Sequence, residues 1–212
     1  MTITDRVAAP LPRGRHALTR GEVHASQRTR LLRAMTVEAA QRGYAATTAA
    51  GVYQRAGVSS RAFYENFSSL HDCFLAAYEA NVAILQSRLG SVSDRRDPPL
   101  QRLVALLDAY LSTITQEPDL ARIFLVEVYA AGGEALAHRL AVHQRFVETV
   151  IDALADEKLS ETDHFAVETL VAAVTFQATM HVIAQEHGDL RELRTNLVAM
   201  ATRLCPWLQD FP

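Results

Sequence analysis

Apolar residues recur at three- and four-residue intervals along nearly all of the chain after about residue 25, and strand-like alternation bounded by turns is hard to find. That period predicts an all-α fold. A first helix is expected over residues 26–42, with Leu31, Leu32, Met35 and Ala39 on one face and Arg28, Arg33, Glu38 and Arg42 elsewhere, stopped by Gly43. Thr47 and Thr48 are N-cap candidates for a short helix ending near Arg55, Gly57 stands where the chain must turn sharply, and Ser59 caps another short helix through about Asn66. Ser69, with Asp72 in the capping-box position, opens a long fourth helix striped by Leu70, Phe74, Ala77, Tyr78 and Leu85. Residues 90–99, containing Pro98-Pro99, form the clearest break. Five further helical segments follow at about 100–116, 119–131, 134–156, 162–186 and 190–204, for about nine helices in total. The opening residues 1–24, with Pro10, Pro12, Gly14 and Gly21 among arginines, read as a flexible basic arm.

Within residues 48–67, two short helices meet at Ala56-Gly57-Val58, the arrangement of a helix-turn-helix. Val52, Val58 and Phe63 fall where they share a small core with the first and fourth helices. The second short helix then offers Ser60, Arg61, Tyr64 and Asn66 on its other face. Arginine forms two hydrogen bonds to a guanine edge, and Ser, Tyr and Asn bond base edges or phosphate oxygens. The helix starts at Thr48 and Ser59 add backbone amides that favour phosphate.

Charge changes the picture. The formal net charge is −3, but residues 1–75 hold ten Arg against five acids (+5), and the rest holds eleven Arg or Lys against nineteen acids (−8). A basic unit that binds a polyanion, joined to an acidic unit with another task, fits this split. The motif Thr47-Thr48, Ala56-Gly57-Val58-Ser59, Phe63-Tyr64 and Phe67, preceded by Arg42-Gly43-Tyr44, resembles the N-terminal domain of TetR-family transcriptional regulators over about residues 25–85. The resemblance implies an N-terminal three-helix DNA-binding domain at 25–85 and a larger ligand-binding and dimerisation domain at 86–212. By the same likeness Thr48 and Tyr64 contact phosphates, Ser60 and Arg61 face base edges, and Ser59 and Asn66 lie on the DNA side. Thr47 and Arg28 complete the expected DNA-binding set. Leu70, beside His71, stands where the family often has a phosphate-reaching lysine, and Gly51 and Tyr53 also depart from the family's usual residues. Arg28 or the arm supplies phosphate charge in its place.

In the second part, Tyr110, Phe124, Glu127, Tyr129, His143 and Phe146 combine bulky apolar surface with a few polar groups, the composition of a small-molecule pocket and equally of a core. Glu127, inside an apolar run, needs a donor if buried; an ion pair with Arg122 or Arg139 is the alternative. The last two helices carry apolar stripes including Phe165, Leu170, Val174 and Ile183, then Leu193, Leu197, Met200 and Leu204. Leu170, Val174, Leu193, Leu197, Met200 and Leu204 are the expected homodimer interface, which in the resembled family is a four-helix bundle. A dimer places two reading helices on successive major grooves and asks for a palindromic operator in double-stranded DNA.

Cys73 and Cys205 are too few for a disulfide scaffold or a thiolate metal site, and the histidine spacings, such as His138 to His143, do not put two ligands on one helical face. No metal, cofactor or catalytic residue is expected, since the nucleophile elbow, zinc-protease and nucleotide-loop motifs are missing. No uninterrupted apolar run approaches about 18 residues, and residues 1–21 lack a signal-peptide core, so a cytoplasmic protein without membrane contact is expected. The reading is a sequence-specific repressor released by an unidentified small-molecule effector. Its rivals are a helical carrier or enzyme with a vestigial DNA-binding domain, and a nonspecific architectural DNA-binding protein.

Overall fold

Local hydrogen bonds at the helix starts fix where each element begins. In the computed structural model, which describes residues 19–91, 96–155, 158–184 and 191–209, all regular structure among the described residues is helical. Helix α1 spans Arg20–Arg42. It starts earlier than residue 26 because Thr19 and Glu22 form a capping box, the Thr19 amide donating to Glu22 Oε2 at 2.6 Å. Residues 20–24 are therefore helical, and the remainder of the expected arm, residues 1–18, lies outside the described residues.

Helices α2 (Ala49–Ala56) and α3 (Ser60–Asn66) are capped by Thr48 and Ser59, whose hydroxyls accept from the amides of Gly51 and Ala62 at 3.1 Å each. Gly57 joins them in the left-handed region (φ 63°, ψ 38°), where a side chain is strained. Isolated helices this short are marginal in water. Each is held by one fully buried anchor, Val52 or Phe63, worth about 1.5–3 kcal/mol, plus a cap worth about 1 kcal/mol. Leu31 and Met35 of α1 and Phe74 and Tyr78 of α4 (Leu70–Gly90) close the core around them. Gly51 lets α2 approach α1: a Cβ there would stand 3.2 Å from Glu38 Oε2. Glu38 is itself buried and paired with Arg55 and Arg42 at 2.6 and 3.0 Å, which removes the cost of a lone buried carboxylate.

The second half comprises α5 (Pro99–Gln116), α6, α7 (Gly133–Leu154), α8 (Glu161–Ala184) and α9 (Arg191–Leu204). Helix α6 runs in three contiguous pieces: Pro118–Arg122, a π-helical turn Ile123–Glu127, and Val128–Ala130. The π turn packs against α1, α4 and α8, so it touches both halves of the molecule. The expected segment 162–186 ends beyond the described residues; α8 is described to Ala184.

Uninterrupted runs proved too strict a test for a spanning segment. Helix α8 is long and apolar enough to cross a membrane by length and composition, with a mean hydropathy of 1.4 over its most apolar stretch. Only 28% of that stretch is buried. Phe165, Phe176, Met180 and Ile183 are 67%, 60%, 40% and 52% exposed, and Leu204 of α9 adds another 38% exposed apolar group.

Candidate nucleic-acid interface and effector cavity

Helix α3 turns Ala62 and Phe63 inward, which leaves Ser60, Arg61 and Tyr64 on its outer side. Tyr64 is 59% exposed and braced edge-on by Phe63. The Arg61 guanidinium extends into solvent, paired with Glu65 one turn on at 2.8 Å. An exposed pair of this kind is weak and exchanges readily for a base or phosphate. Ser59 and Thr48 sit at the exposed starts of α3 and α2 with their hydroxyls engaged as caps.

Three of the expected residues form bonds within the domain itself. Thr47 is 5% exposed and donates to the Gly43 carbonyl at 2.9 Å. Asn66 is half-buried and donates to the Ala62 carbonyl at 2.8 Å. Arg28 donates to the Asn66 carbonyl at 3.1 Å and lies over the Phe67 ring, 4.5 Å from its centroid, so it ties the end of α3 to α1. A cationic groove that the sequence pattern did not single out runs between α1 and α2, lined by Arg30, Arg33 and Arg55. Arg30 donates to the Gly57 carbonyl at the turn between the two short helices.

The second-half residues separate into groups. Tyr110, Phe124 and Phe146 line an almost wholly apolar cavity of about 70 Å³, together with Leu103, Leu107 and Thr149 and with residues of α8 that include Leu170, Val174 and Thr175. Tyr129 is 56% exposed and, like Glu127 and His143, lies outside that lining. His143 is half-buried, and burial together with the charge of Arg139 lowers its pKa, against a smaller opposing pull from Glu168.

Glu127 is buried and does find a donor. Its Oε2 accepts from the Tyr44 amide at 2.8 Å, while Oε1 pairs with Arg122 at 3.2 Å. Tyr44 also packs edge-on against Phe74, and its hydroxyl meets His71 Nδ1 at 3.1 Å; His71 Nε2 in turn meets Glu134 Oε2 at 3.1 Å. The turn after α1 and the start of α4 are thus bonded to α6 and α7. Phe124 and Glu127 stand on the same π turn, one in the cavity wall and the other on Tyr44.

Of the expected interface residues, Leu170 and Leu197 are 3% and 4% exposed within the single chain, and Val174 lines the cavity. Leu193 and Met200 are half-buried, and Leu204 is exposed. The larger exposed apolar groups include those of α8 named above, together with Leu136 and Leu140 of α7. Cys73 and Cys205 are buried and unpaired, and burial pushes the Cys73 thiol up to about 12. Among the described residues no group of His, Cys, Asp and Glu is arranged to hold a metal.

A helix-turn-helix is thus packed against a larger helical body with an apolar cavity. Residues 31–77 match the family model of bacterial regulatory proteins, tetR family. A TetR-family regulator from Streptomyces coelicolor superposes with a TM-score of 0.72 at 17% identity, covering 85% of this chain and 80% of that one. A transcriptional regulator from Rhodococcus sp. Rha1 gives 0.70 at 22% identity, covering 87% and 99%. FadR from Bacillus subtilis, solved in complex with stearoyl-CoA, gives 0.66 at 14% identity, covering 85% and 97%. None of the curated proteins matches the chain by sequence. The N-terminal part of the chain thus matches the tetR family of bacterial regulatory proteins over residues 31–77, and the chain as a whole has the fold of these solved regulators.

Proposed function

We propose that the chain is a cytoplasmic repressor that binds a palindromic operator as a homodimer and is released when a small molecule enters the cavity. The observation that carries this reading is the outer face of α3, where Ser60, Arg61 and Tyr64 are exposed to solvent on a helix anchored by the buried Ala62 and Phe63. Arg61 exchanges Glu65 for a base edge, Ser60 adds a second polar contact, and Tyr64 bonds a phosphate. The amides at the starts of α2 and α3 lie beside Thr48 and Ser59 and favour phosphate. Arg30, Arg33 and Arg55 widen the positive surface and take over the charge that Leu70 does not supply. Thr47, Asn66 and Arg28 act by holding this surface in shape, and no residue is assigned a catalytic role.

The exposed apolar face of α8, extended by Leu204 of α9, is the proposed meeting surface of two copies. That use of the face, not a membrane, fits a protein whose other end reads DNA. An effector in the cavity presses on Phe124, and the π turn passes the displacement through Glu127 to Tyr44 and so to the base of the helix-turn-helix. The solved relative that holds stearoyl-CoA supports an apolar effector for a body of this fold. By linkage, such an effector binds the free protein more tightly than the DNA-bound one.

Selection of bound duplexes from a random pool, at stated salt, tests the reading. Enrichment of a two-fold symmetric sequence is expected. Recovery without a shared motif would point to nonspecific binding, and no recovery to a body that has lost its DNA-binding role.

A further inference from the structure

Beside the cavity, behind the Phe124 ring that forms part of its wall, lies a cation that pairs with no carboxylate among the described residues. Arg139 is only 7% exposed, its Nε is buried without an acceptor, and among the described residues no carboxylate forms an ion pair with it. Glu127, the acid the sequence offered as its partner, is taken by Arg122 and Tyr44. A buried cation without a counter-charge is costly, and such groups are retained where a ligand completes them.

Its position is informative. Arg139 shares one face of α7 with Phe146, Thr149 and Val150, all cavity-lining, and stands at the N-terminal end of that face. The guanidinium rests over the ring of Phe124, 5.1 Å from its centroid, and Phe124 is itself cavity wall. Two more polar groups converge there. The hydroxyls of Tyr78 and Tyr110 are buried without hydrogen-bond geometry to any partner; Tyr78 faces Arg139, and Tyr110 lines the cavity and faces Thr175. Tyr110 lines the cavity, while Arg139 and Tyr78 lie against the Phe124 ring at its edge; one cation and two hydroxyls so placed form a receptor for a small anion with an apolar body.

We propose that Arg139, Tyr78 and Tyr110 bind the head group of an amphipathic carboxylic acid, whose hydrocarbon part occupies the cavity between α5, α7 and α8. The carboxylate supplies the counter-charge of Arg139 and accepts from both tyrosines. About 70 Å³ is less than the roughly 150 Å³ that accommodates benzene in an engineered cavity, so the body of the ligand separates the leucine and valine side chains as it enters. This assignment rests on the reading of the chain as an effector-binding regulator and names the chemistry of that effector.

Isothermal titration of the full chain without DNA tests it, with hexanoate, octanoate and decanoate against the alcohols of the same length. At least one acid is expected to bind saturably and about tenfold or more tighter than its alcohol. Arg139→Met is expected to bind acid and alcohol alike, and Arg139→Lys to keep part of the preference. The thermal midpoint of ligand-free Arg139→Met should equal or exceed that of the unmodified chain, because a lone buried charge has been removed. Equal binding of acid and alcohol, no binding of any acid, a preference that survives Arg139→Met, or a marked drop in its ligand-free midpoint would each overturn the assignment. Release of the selected operator by the same acid is measured separately. An acid that binds through Arg139 and leaves the DNA complex intact supports this site and counts against ligand-released repression.

Discussion

Arg61 and Tyr64 occupy one exposed face but have different tasks, and substitution separates them. Arg61→Ala is expected to cost about 1–3 kcal/mol at one base pair of each half-site and to relax preference there. Tyr64→Phe removes only a hydroxyl and should weaken all sequences alike. Binding curves on a panel of single-base operator variants distinguish the two outcomes, and identical curves for Arg61→Ala and the unmodified chain would remove Arg61 from the reading surface. His143 gives a pH signature. Its pKa is depressed in the folded chain by burial and by Arg139, so the unfolded state takes up a proton first as pH falls below the ordinary value of 6.5. Stability should be fully present above that pH and decline below it until the folded histidine also titrates. Denaturant unfolding between neutral and mildly acidic pH should show a smaller decline for His143→Gln than for the unmodified chain.

Among the elements, the short helices and the π turn depend on different supports. Helix α3 has seven residues, one buried aromatic anchor and one cap, so Ser59→Ala is expected to destabilise the chain by about 1 kcal/mol, read from the denaturation midpoint. The π turn is tied to the first half by the Glu127 bond to the Tyr44 amide. Glu127→Ala leaves that buried amide and Arg122 without their acceptor. A loss of about 2 kcal/mol is expected, with faster hydrogen exchange at the Tyr44 amide. Unchanged exchange there would show that the contact does not hold the two halves together. The caps were legible in the sequence, because a serine or threonine at a helix start needs only its next few residues to act. The capping box of Thr19 and Glu22 is equally local, yet it lay in a stretch read as an arm because of its glycine and arginines. The π turn left no periodic signal, since four successive apolar residues followed by Glu127 look the same in either helical form.

For the whole molecule, the exposed face of α8 sets the test of assembly. Phe176→Glu places a charge on that face without touching the single-chain core and is expected to give monomers with poor operator affinity, read by light scattering and by duplex binding. A dimer that persists would move the interface elsewhere. Periodicity in the sequence determined the all-helical class, the order and approximate bounds of the helices, and the helix-turn-helix, because backbone hydrogen bonding, capping and one-sided burial are properties of neighbours along the chain. It also marked apolar stripes on α8 and α9, but not which side faces the chain's own interior: Leu170 and Leu197 are buried, whereas Phe176 and Ile183 face solvent. Only tertiary packing decided that Glu127 pairs with Arg122 and Tyr44, that Arg139 pairs with no carboxylate among the described residues, and that one turn carries both Phe124 in the cavity wall and Glu127 on Tyr44. The physical reason is that the pairing and solvation of a buried charge depend on groups brought together from distant segments.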